Sequence, residues 1–230
     1  MSSPLLIGGL IFPDLDQADF TGPFEVLSRI PHSQFLIISP DGRPVTDARG
    51  LILTPQLAIA DTPQLDVLLV PGGSGINAMM EDEAILAFVR QQAATARLVL
   101  AVCTGALICG AAGLLAGRRA TTHWATHHLL SSFGALPQNS RVVVDGHLIT
   151  AAGVTSGLDG ALVATAALAG EDVAKQIQLY LEYAPEPPFS CGSPDTTPPE
   201  IVAALKTSMQ SVLDERQRIA DRYASAHPRP

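Results

Sequence analysis

The residue best suited to chemistry is Cys103, which follows an apolar run and precedes small, helix-opening residues in LVLAVCTGA, residues 98–106. A nucleophile between a buried strand and a helix is typical of the sharp elbow of hydrolases. At a helix N-terminus, unpaired N–H groups and the helix dipole favour the nucleophilic thiolate over the thiol. The pattern predicts a cysteine nucleophile in a strained turn that Gly105 allows to pack closely. The alternative is a small buried cysteine that ends a core strand.

A second candidate is the glycine-rich turn VPGGSG, residues 70–75, which follows another apolar run. Glycines directly after a parallel strand leave backbone N–H groups exposed at the carboxyl edge of the sheet, where ligands bind. The N–H groups of Gly72, Gly73 and Ser74 could face Cys103 and hold a developing negative charge. The alternative is an ordinary turn between a strand and a helix. The spacing does not match a nucleotide-phosphate loop.

Two further side chains could move or orient a proton beside the sulfur. Asp19, in QADFTGP, is predicted at the end of the first loop. If its carboxyl faces Cys103, burial and like-charge repulsion raise its pKa, so that it exchanges a proton near neutral pH. Its alternative role is a cap for the next helix. Thr104 carries a hydroxyl that can donate beside the sulfur, or it simply opens a helix.

Histidine is the remaining source of acid–base chemistry. His123, in ATTHW, lies near a predicted helix start and could orient or deprotonate Cys103 as in a cysteine–histidine pair. The alternative is a packed structural histidine. His127 follows four positions later, but the glutamate of a zincin helix and a third ligand are missing. We therefore predict no metal site.

The elements that must position these residues alternate between short apolar runs and segments of helical period. This alternation is typical of a parallel sheet covered by helices on both faces. The predicted strands are residues 5–12, 34–39, 65–70, 98–102, 141–144 and 147–151. The predicted helices are residues 22–29 (capped by Thr21), 81–96, 105–115, 121–130, 157–168 and 171–183, with a hairpin over 44–55.

The composition changes after Tyr183. Residues 184–199 hold six prolines and little periodicity, which is typical of an ordered arm. Helical spacing then recovers along an apolar stripe through Ile201, Leu205, Met209, Val212, Arg216, Ile219 and Tyr223. We predict an α/β domain over residues 1–183 and an extension over 184–230, whose amphipathic helix packs on the body or on a second subunit.

Composition and charge exclude several classes of protein. The chain has 230 residues, 47% of them hydrophobic and 16% charged, which argues against disorder. A net charge of −8 disfavours nucleic acid as a partner, and no apolar run approaches the ~18 residues of a membrane span. Three cysteines without metal-type spacing fit a reducing compartment. We therefore expect a cytoplasmic protein. Cys109 is expected in the core, and Cys191 is expected to react only because its side chain is exposed to solvent.

Together these motifs resemble the ThiJ/PfpI superfamily, the cysteine branch of the class I glutamine amidotransferase-like fold, over residues 5–183. The resemblance rests on residues 19–23, 70–73, 101–105, 112–115 and 118–124. Residues 181–189 and 192–196 of the arm narrow it to the isocyanide (isonitrile) hydratases of that superfamily. The central motifs are shared with amidase-like sensor domains of AraC-type transcription regulators.

The resemblance implies a doubly wound, flavodoxin-like sandwich, a homodimer, no cofactor, and hydro-lyase chemistry that converts isocyanides to N-substituted formamides. It implies Cys103 as nucleophile, Asp19 as acid and base, and Thr104 as an assisting residue. The thiolate would attack the isocyanide carbon, Asp19 would protonate that carbon, and a water activated by Asp19 would resolve the thioimidate. The hydratases carry glycines and an isoleucine where this chain has AAGV at 151–154, so Gly153 and Val154 would border a modified pocket.

Alternatives from other classes remain open. A ligand-sensing module is disfavoured by the acidic balance and by the short segment after Tyr183, where AraC-type relatives append two helix-turn-helix units. A glyoxalase or protein-repair enzyme of the same superfamily is disfavoured by Asp19, where those branches commonly have glutamate, and an amidase-like enzyme of that superfamily is a further alternative. Thr104 stands where the peptidase branch places histidine. A redox sensor would use Cys103 only as an oxidisable thiol.

Overall fold

A computed structural model describes residues 3–227 of the chain. The strands are β1 (Leu5–Leu10), β2 (Ser33–Ser39), β3 (Val45–Thr46), β4 (Ile52–Leu53), β5 (Leu57–Ala58), β6 (Val67–Val70), β7 (Leu98–Val102), β8 (Arg119–Ala120), β9 (Leu136–Pro137), β10 (Val142–Asp145) and β11 (Leu148–Ala151). The α-helices are α1 (Gln17–Leu27), α2 (Ile76–Met79), α3 (Glu83–Thr95), α4 (Gly105–Ala111), α5 (Ser156–Ala169), α6 (Glu171–Tyr180) and α7 (Pro199–Ala226). Residues 1–2 and 228–230, at the outer ends of the predicted domain and extension, lie outside the described residues.

The main sheet has seven strands in the order β10-β11-β7-β6-β1-β2-β5. All pairings are parallel except that of β10 with β11. Every residue of β6 and β7 is buried, because helices cover both faces of a parallel sheet, and such strands are continuous apolar runs. The predicted fold class, a doubly wound and mostly parallel sheet with helices on both faces, is confirmed.

The strand order explains where a site must lie. From β1 the chain builds outward to β2 and β5, then returns to β6 and continues to β7 and β11 on the other side. The order therefore reverses between β1 and β6, and ligands of such sheets bind outside the carboxyl ends of the strands at this switch point. The segments that follow β1, β6 and β7 carry Asp19, Gly72 and Cys103 respectively.

The start of α1 differs from the sequence prediction. The helix begins at Gln17 rather than Gly22, because the Asp16 side chain accepts an N–H of the first turn at 3.1 Å. Thr21, the predicted cap, lies inside the helix, and its hydroxyl donates to Gln17 Oε1 at 2.8 Å. Asp19 is consequently a first-turn helical residue rather than a loop residue, and it is not the cap.

The segment predicted as a helix over 121–130 is a 3₁₀ helix over Trp124–Phe133. The two threonines before it take other partners. The Thr121 N–H donates to Thr150 Oγ1 at 2.9 Å, and the Thr122 hydroxyl donates to the Cys103 carbonyl at 2.8 Å. Two other helices end early, α4 at Ala111 instead of Leu115 and α6 at Tyr180 instead of Tyr183.

The C-terminal helix α7 packs on the 3₁₀ helix and on α2. Its apolar stripe divides into two parts. Arg216, Ile219 and Ala220 are buried, whereas Ile201 and Leu205 near the start are 52% and 46% exposed. Within residues 3–227, no helix is long and apolar enough to cross a membrane.

Candidate active site

Cys103 ends strand β7 with a backbone φ of +55°, the left-handed region that non-glycine residues rarely adopt. Its N–H donates to the Ala151 carbonyl at 2.9 Å, and its carbonyl accepts the Thr122 hydroxyl. These two bonds hold the strained backbone, and the residue is only 6% exposed. The strained elbow expected from the sequence is present.

The carboxyl of Asp19 is fully buried beside this elbow. Oδ2 accepts the Gly72 N–H at 3.0 Å, and Oδ1 has no hydrogen-bond partner of ordinary geometry among the described residues. Burial and the neighbouring charge of Asp16 raise the pKa of Asp19 to about 7, although contacts with the Cys103 thiol and the Gly72 N–H oppose the shift. A carboxyl of this kind exchanges a proton at neutral pH.

The pKa of the Cys103 thiol is raised well above its ordinary value, mainly by burial and also by the charge of Asp19. The Thr104 N–H at the start of α4 opposes this shift. The helix start therefore acts in the direction expected from the sequence, and burial of the sulfur acts in the opposite direction and has the larger effect on the pKa. The charges of Cys103 and Asp19 act on each other: the charge of Asp19 raises the pKa of the thiol, and contact with the thiol opposes the rise in the pKa of Asp19.

The glycine-rich turn after β6 holds the pair together. The Gly73 N–H donates to Thr104 Oγ1 at 3.0 Å, and this hydroxyl donates back to the Gly73 carbonyl at 3.3 Å. A Cβ on Gly72 would lie 2.5 Å from Thr104 Oγ1 and 2.9 Å from Asp19 Oδ2, so only glycine fits. The N–H groups of Gly72 and Gly73, expected to be free for a developing charge, thus already position Asp19 and Thr104.

Ser74 is exposed, and its hydroxyl donates to the Asp14 carbonyl at 3.3 Å. The structure therefore brings Cys103, Asp19 and Thr104 together with the first two glycines of the turn, and it leaves Ser74 at the surface.

A cavity of about 670 Å³ lies beside the elbow. Five segments line it: the residues before the 3₁₀ helix, the 3₁₀ helix itself, the β9–β10 loop, the segment from the β11–α5 turn into α5, and the arm. The lining residues are Thr121, Thr122, His123, Trp124, His127, Asn139, Ser140, Arg141, Ala152, Gly153, Val154, Thr155, Ser156, Gly192, Ser193, Pro194 and Asp195. Cys103 and Asp19 are not among them. Their link to the cavity is Thr122, which contacts the Cys103 carbonyl. The predicted Gly153, Val154 and His123 thus form a second group, separate from the cysteine–carboxyl pair.

His123 caps the 3₁₀ helix, since its Nδ1 accepts the Ala125 N–H at 3.3 Å. Burial, and then the positive charge of Arg216, lower its pKa, which keeps the ring neutral. Within residues 3–227, no hydrogen bond joins His123 to Cys103. The position of this histidine fits the structural alternative.

Arg216 is the residue that sequence reasoning missed. It lies on α7, is 4% exposed, and donates to Asn77 Oδ1 at 2.9 Å and to the Gly73 carbonyl at 3.2 Å. Burial lowers its pKa to about 10, and the charge of Cys103 opposes that shift. The one sequence signal that could have identified it is the position of a positively charged residue within the apolar stripe of the C-terminal helix. Within that stripe, Arg216 was predicted only as part of the packing face of the helix.

The fold and the site together define a class of α/β proteins: a doubly wound sheet carries a cysteine at positive φ in the turn between a strand and a helix, with a buried carboxyl beside it. Residues 7–166 match the model of the DJ-1/PfpI family, and the chain belongs to that family. The superfamily predicted from the motifs is confirmed.

Individual relatives show where the similarity is strongest. An isonitrile hydratase of Pseudomonas putida is 50% identical over 221 residues, which cover 96% of this chain and 97% of that protein. The crystal structure of a ThiJ/PfpI family protein from Pseudomonas syringae superposes with a TM-score of 0.91 at 36% identity, covering 94% of this chain and 90% of that one. An HTH-type transcriptional regulator of Pseudomonas aeruginosa, GbdR, is 32% identical over 124 residues, 53% of this chain and 34% of the regulator.

Proposed function

We propose that the chain is an isocyanide hydratase, a hydro-lyase that adds water to R–N≡C and releases the N-substituted formamide. The observation that carries the proposal is the pairing of an elbow thiol with a buried carboxyl whose pKa is about 7. Such a pair can supply both a nucleophile and a proton carrier. The substrate class is supported by the 50% identity to the isonitrile hydratase over nearly the whole chain.

In the first step, Cys103 adds to the isocyanide. The thiol proton passes to the Asp19 carboxylate while the sulfur attacks the terminal carbon and forms the S–C bond. Asp19 then delivers that proton to the same carbon. The result is a thioimidate, S–CH=N–R, and Asp19 is again a carboxylate.

In the second step, water resolves the thioimidate. The Asp19 carboxylate removes a proton from water as the water oxygen bonds to the carbon, and this proton passes to the nitrogen. Asp19 then accepts the proton of the new hydroxyl group while the C–S bond breaks with its electrons moving to sulfur. Returning this proton to sulfur restores the thiol and releases R–NH–CHO.

The remaining predicted residues receive proposed roles around this chemistry. Thr104 and the N–H groups of Gly72 and Gly73 hold the carboxyl and the elbow in place through the hydrogen bonds described above. The R group of the substrate occupies the adjacent cavity. There Gly153, Val154 and His123 border it as packing residues, and Ser74 stands at the surface outside it.

The decisive experiment compares wild type, Cys103→Ala, Cys103→Ser and Cys191→Ala with cyclohexyl isocyanide, following formamide by mass spectrometry. Turnover by wild type and Cys191→Ala, together with its loss in both Cys103 variants, is expected. Cys191 is exposed and is the matched control for cysteine removal. Normal turnover in Cys103→Ser would contradict the covalent route. Absence of turnover in wild type would contradict the hydratase itself, and methylglyoxal would then test the glyoxalase alternative.

We also propose that the protein is a homodimer in the cytoplasm, acting on small molecules rather than on nucleic acid or membranes. The exposed apolar side chains of Ile201, Leu205 and Phe189 on the arm and α7 support a subunit contact by the 184–230 extension. The net charge of −8 supports a small-molecule role over nucleic-acid binding. Light scattering should give twice the chain mass of 24.1 kDa, and Leu205→Glu should reduce it.

A further inference from the structure

Arg216 is a buried cation without an acidic partner. The residue is 4% exposed, and the hydrogen bonds of its guanidinium go to two neutral oxygens, Asn77 Oδ1 and the Gly73 carbonyl. In the described part of the chain, none of the ion pairs includes Arg216. Burying a charge is costly unless an opposite charge compensates it at some stage, so the position calls for an anion.

The anion that the geometry offers is the Cys103 thiolate. The Gly73 carbonyl that accepts from Arg216 also accepts the Thr104 hydroxyl, which places the guanidinium one hydrogen-bonded residue away from the elbow. When Cys103 is ionised, its negative charge in turn favours the protonated form of Arg216.

The charged groups around the sulfur come from three elements. Asp16 and Asp19, before and within α1, present negative charge to the thiol and oppose its ionisation. Arg216 presents positive charge from α7, and His123, at the start of the 3₁₀ helix, is neutral. Transfer of the thiol proton to Asp19 moves negative charge onto sulfur, and a neighbouring cation favours that transfer.

We propose that Arg216 is a positioning residue that fixes the Gly73 turn against the elbow and supplies the counter-charge to the Cys103 thiolate. This inference rests on the proposed nucleophilic role of Cys103, but not on the identity of the substrate. It makes α7 part of the active site, because the helix contributes the charge that the doubly wound domain lacks at this point.

The test measures the rate of Cys103 alkylation by iodoacetamide between pH 6 and 10, in a Cys191→Ala background that removes the exposed thiol. Arg216→Gln should slow alkylation about 10-fold at each pH below the midpoint, equivalent to a rise of about one pH unit. Arg216→Lys should stay within a few-fold of the parent, because it keeps the charge. Arg218→Gln removes a charge from the exposed side of the same helix and should change nothing.

The charge of the reagent provides a second readout that a purely structural role would not change. Iodoacetate is an anion, so a cation beside the sulfur raises its reactivity relative to neutral iodoacetamide. Arg216→Gln should lower this ratio and Arg216→Lys should preserve it. Equal alkylation rates and equal ratios in Arg216→Gln and the parent would overturn the proposal.

A different variant covers the case in which Arg216→Gln fails to fold. Asn77→Asp places a carboxylate where Nε of Arg216 already donates at 2.9 Å, so the arginine stays but its charge is neutralised. Alkylation should slow as in Arg216→Gln, whereas Ala78→Asp, an added charge at the exposed neighbouring position, should have no effect. A parent-like rate in Asn77→Asp would refute the counter-charge role. Isocyanide turnover, measured in parallel, reports separately on the proposed function.

Discussion

The backbone N–H of Gly72 donates a hydrogen bond of 3.0 Å to Oδ2 of Asp19, a residue 53 positions earlier in the chain. The bond joins the turn after β6 to the first turn of α1, across the switch point of the sheet. It fixes one carboxyl oxygen, whereas the other, Oδ1, is buried and has no hydrogen-bond partner of ordinary geometry within residues 3–227.

Gly72→Ala should disable the site. The new Cβ would lie 2.5 Å from Thr104 Oγ1 and 2.6 Å from Thr104 N, so the backbone must shift and Asp19 must move away from the elbow. We expect kcat/KM for isocyanide hydration to fall about 100-fold, with a stability loss of about 1–3 kcal/mol.

The matched control for this change is Gly22→Ala in α1, where the Cβ would make an ordinary contact of 3.5 Å with Leu158. It should keep activity and gain up to about 1 kcal/mol of stability, since alanine favours helix. Near-normal turnover in Gly72→Ala would show that the Asp19 hydrogen bond is dispensable.

Asp19→Asn should make the protein more stable and inactive. The pKa of Asp19 rises from 3.8 to about 7 on folding, so the native state holds a proton that the unfolded state has lost between these values. The cost of burying the carboxylate is absent below pH 3.8, grows as the pH rises and is complete above about 7. Asparagine removes this cost, and at pH 8 the gain should reach about 2–4 kcal/mol.

Urea unfolding at several pH values between 5 and 8.5 measures this difference. Asp145→Asn is the control, because its effect should stay nearly constant over this pH range, with the carboxylate ionised in both the folded and the unfolded state. Hydrogen bonding from the Arg119 N–H lowers the pKa of Asp145, so loss of that carboxylate should destabilise the protein at neutral pH. A constant difference between Asp19→Asn and wild type would mean that the carboxyl is not titrating near 7.

The pH profile of kcat/KM should rise with an apparent pKa near 7 and show no descending limb up to pH 9. The active form carries one proton on the Asp19–Cys103 pair. Below about 7 the Asp19 carboxylate is protonated and the pair then carries two protons, whereas the Cys103 thiol ionises only well above its usual range. Steady-state rates from pH 5 to 9 with cyclohexyl isocyanide provide the check. A limb centred near pH 4, or a fall between 7 and 9, would argue for a different protonation state.

Cys103→Gly should be more stable than Cys103→Ala by about 1 kcal/mol, although both are inactive. Alanine keeps the strain of φ +55°, whereas glycine adopts this conformation without a steric cost. Thermal and urea unfolding of the two variants measure the difference. Ala106→Gly, in the helical backbone of α4 just after the elbow, should instead lose stability. The elbow would be unstrained in solution if Cys103→Ala were the more stable of the pair.

The local sequence determined the elements that depend on interactions between residues close together in the chain. The apolar runs of β6 and β7 predicted central strands, and the change from LVLAV to small residues predicted the elbow at Cys103. The hairpin predicted over residues 44–55 matched the antiparallel pairing of β3 with β4. The start of α1 was missed because Asp16 and Thr21 are both good caps, and local propensity does not choose between them.

Tertiary structure decided everything that depends on distant partners. Burial, which no single motif encodes, raised the pKa of both Asp19 and Cys103, and the glycine N–H groups were taken up by Asp19 and Thr104. Arg216 reaches the Gly73 carbonyl from 143 positions away. A contact over that separation leaves no periodicity or spacing in the sequence, so only the folded chain shows that the C-terminal helix carries a charge to the elbow.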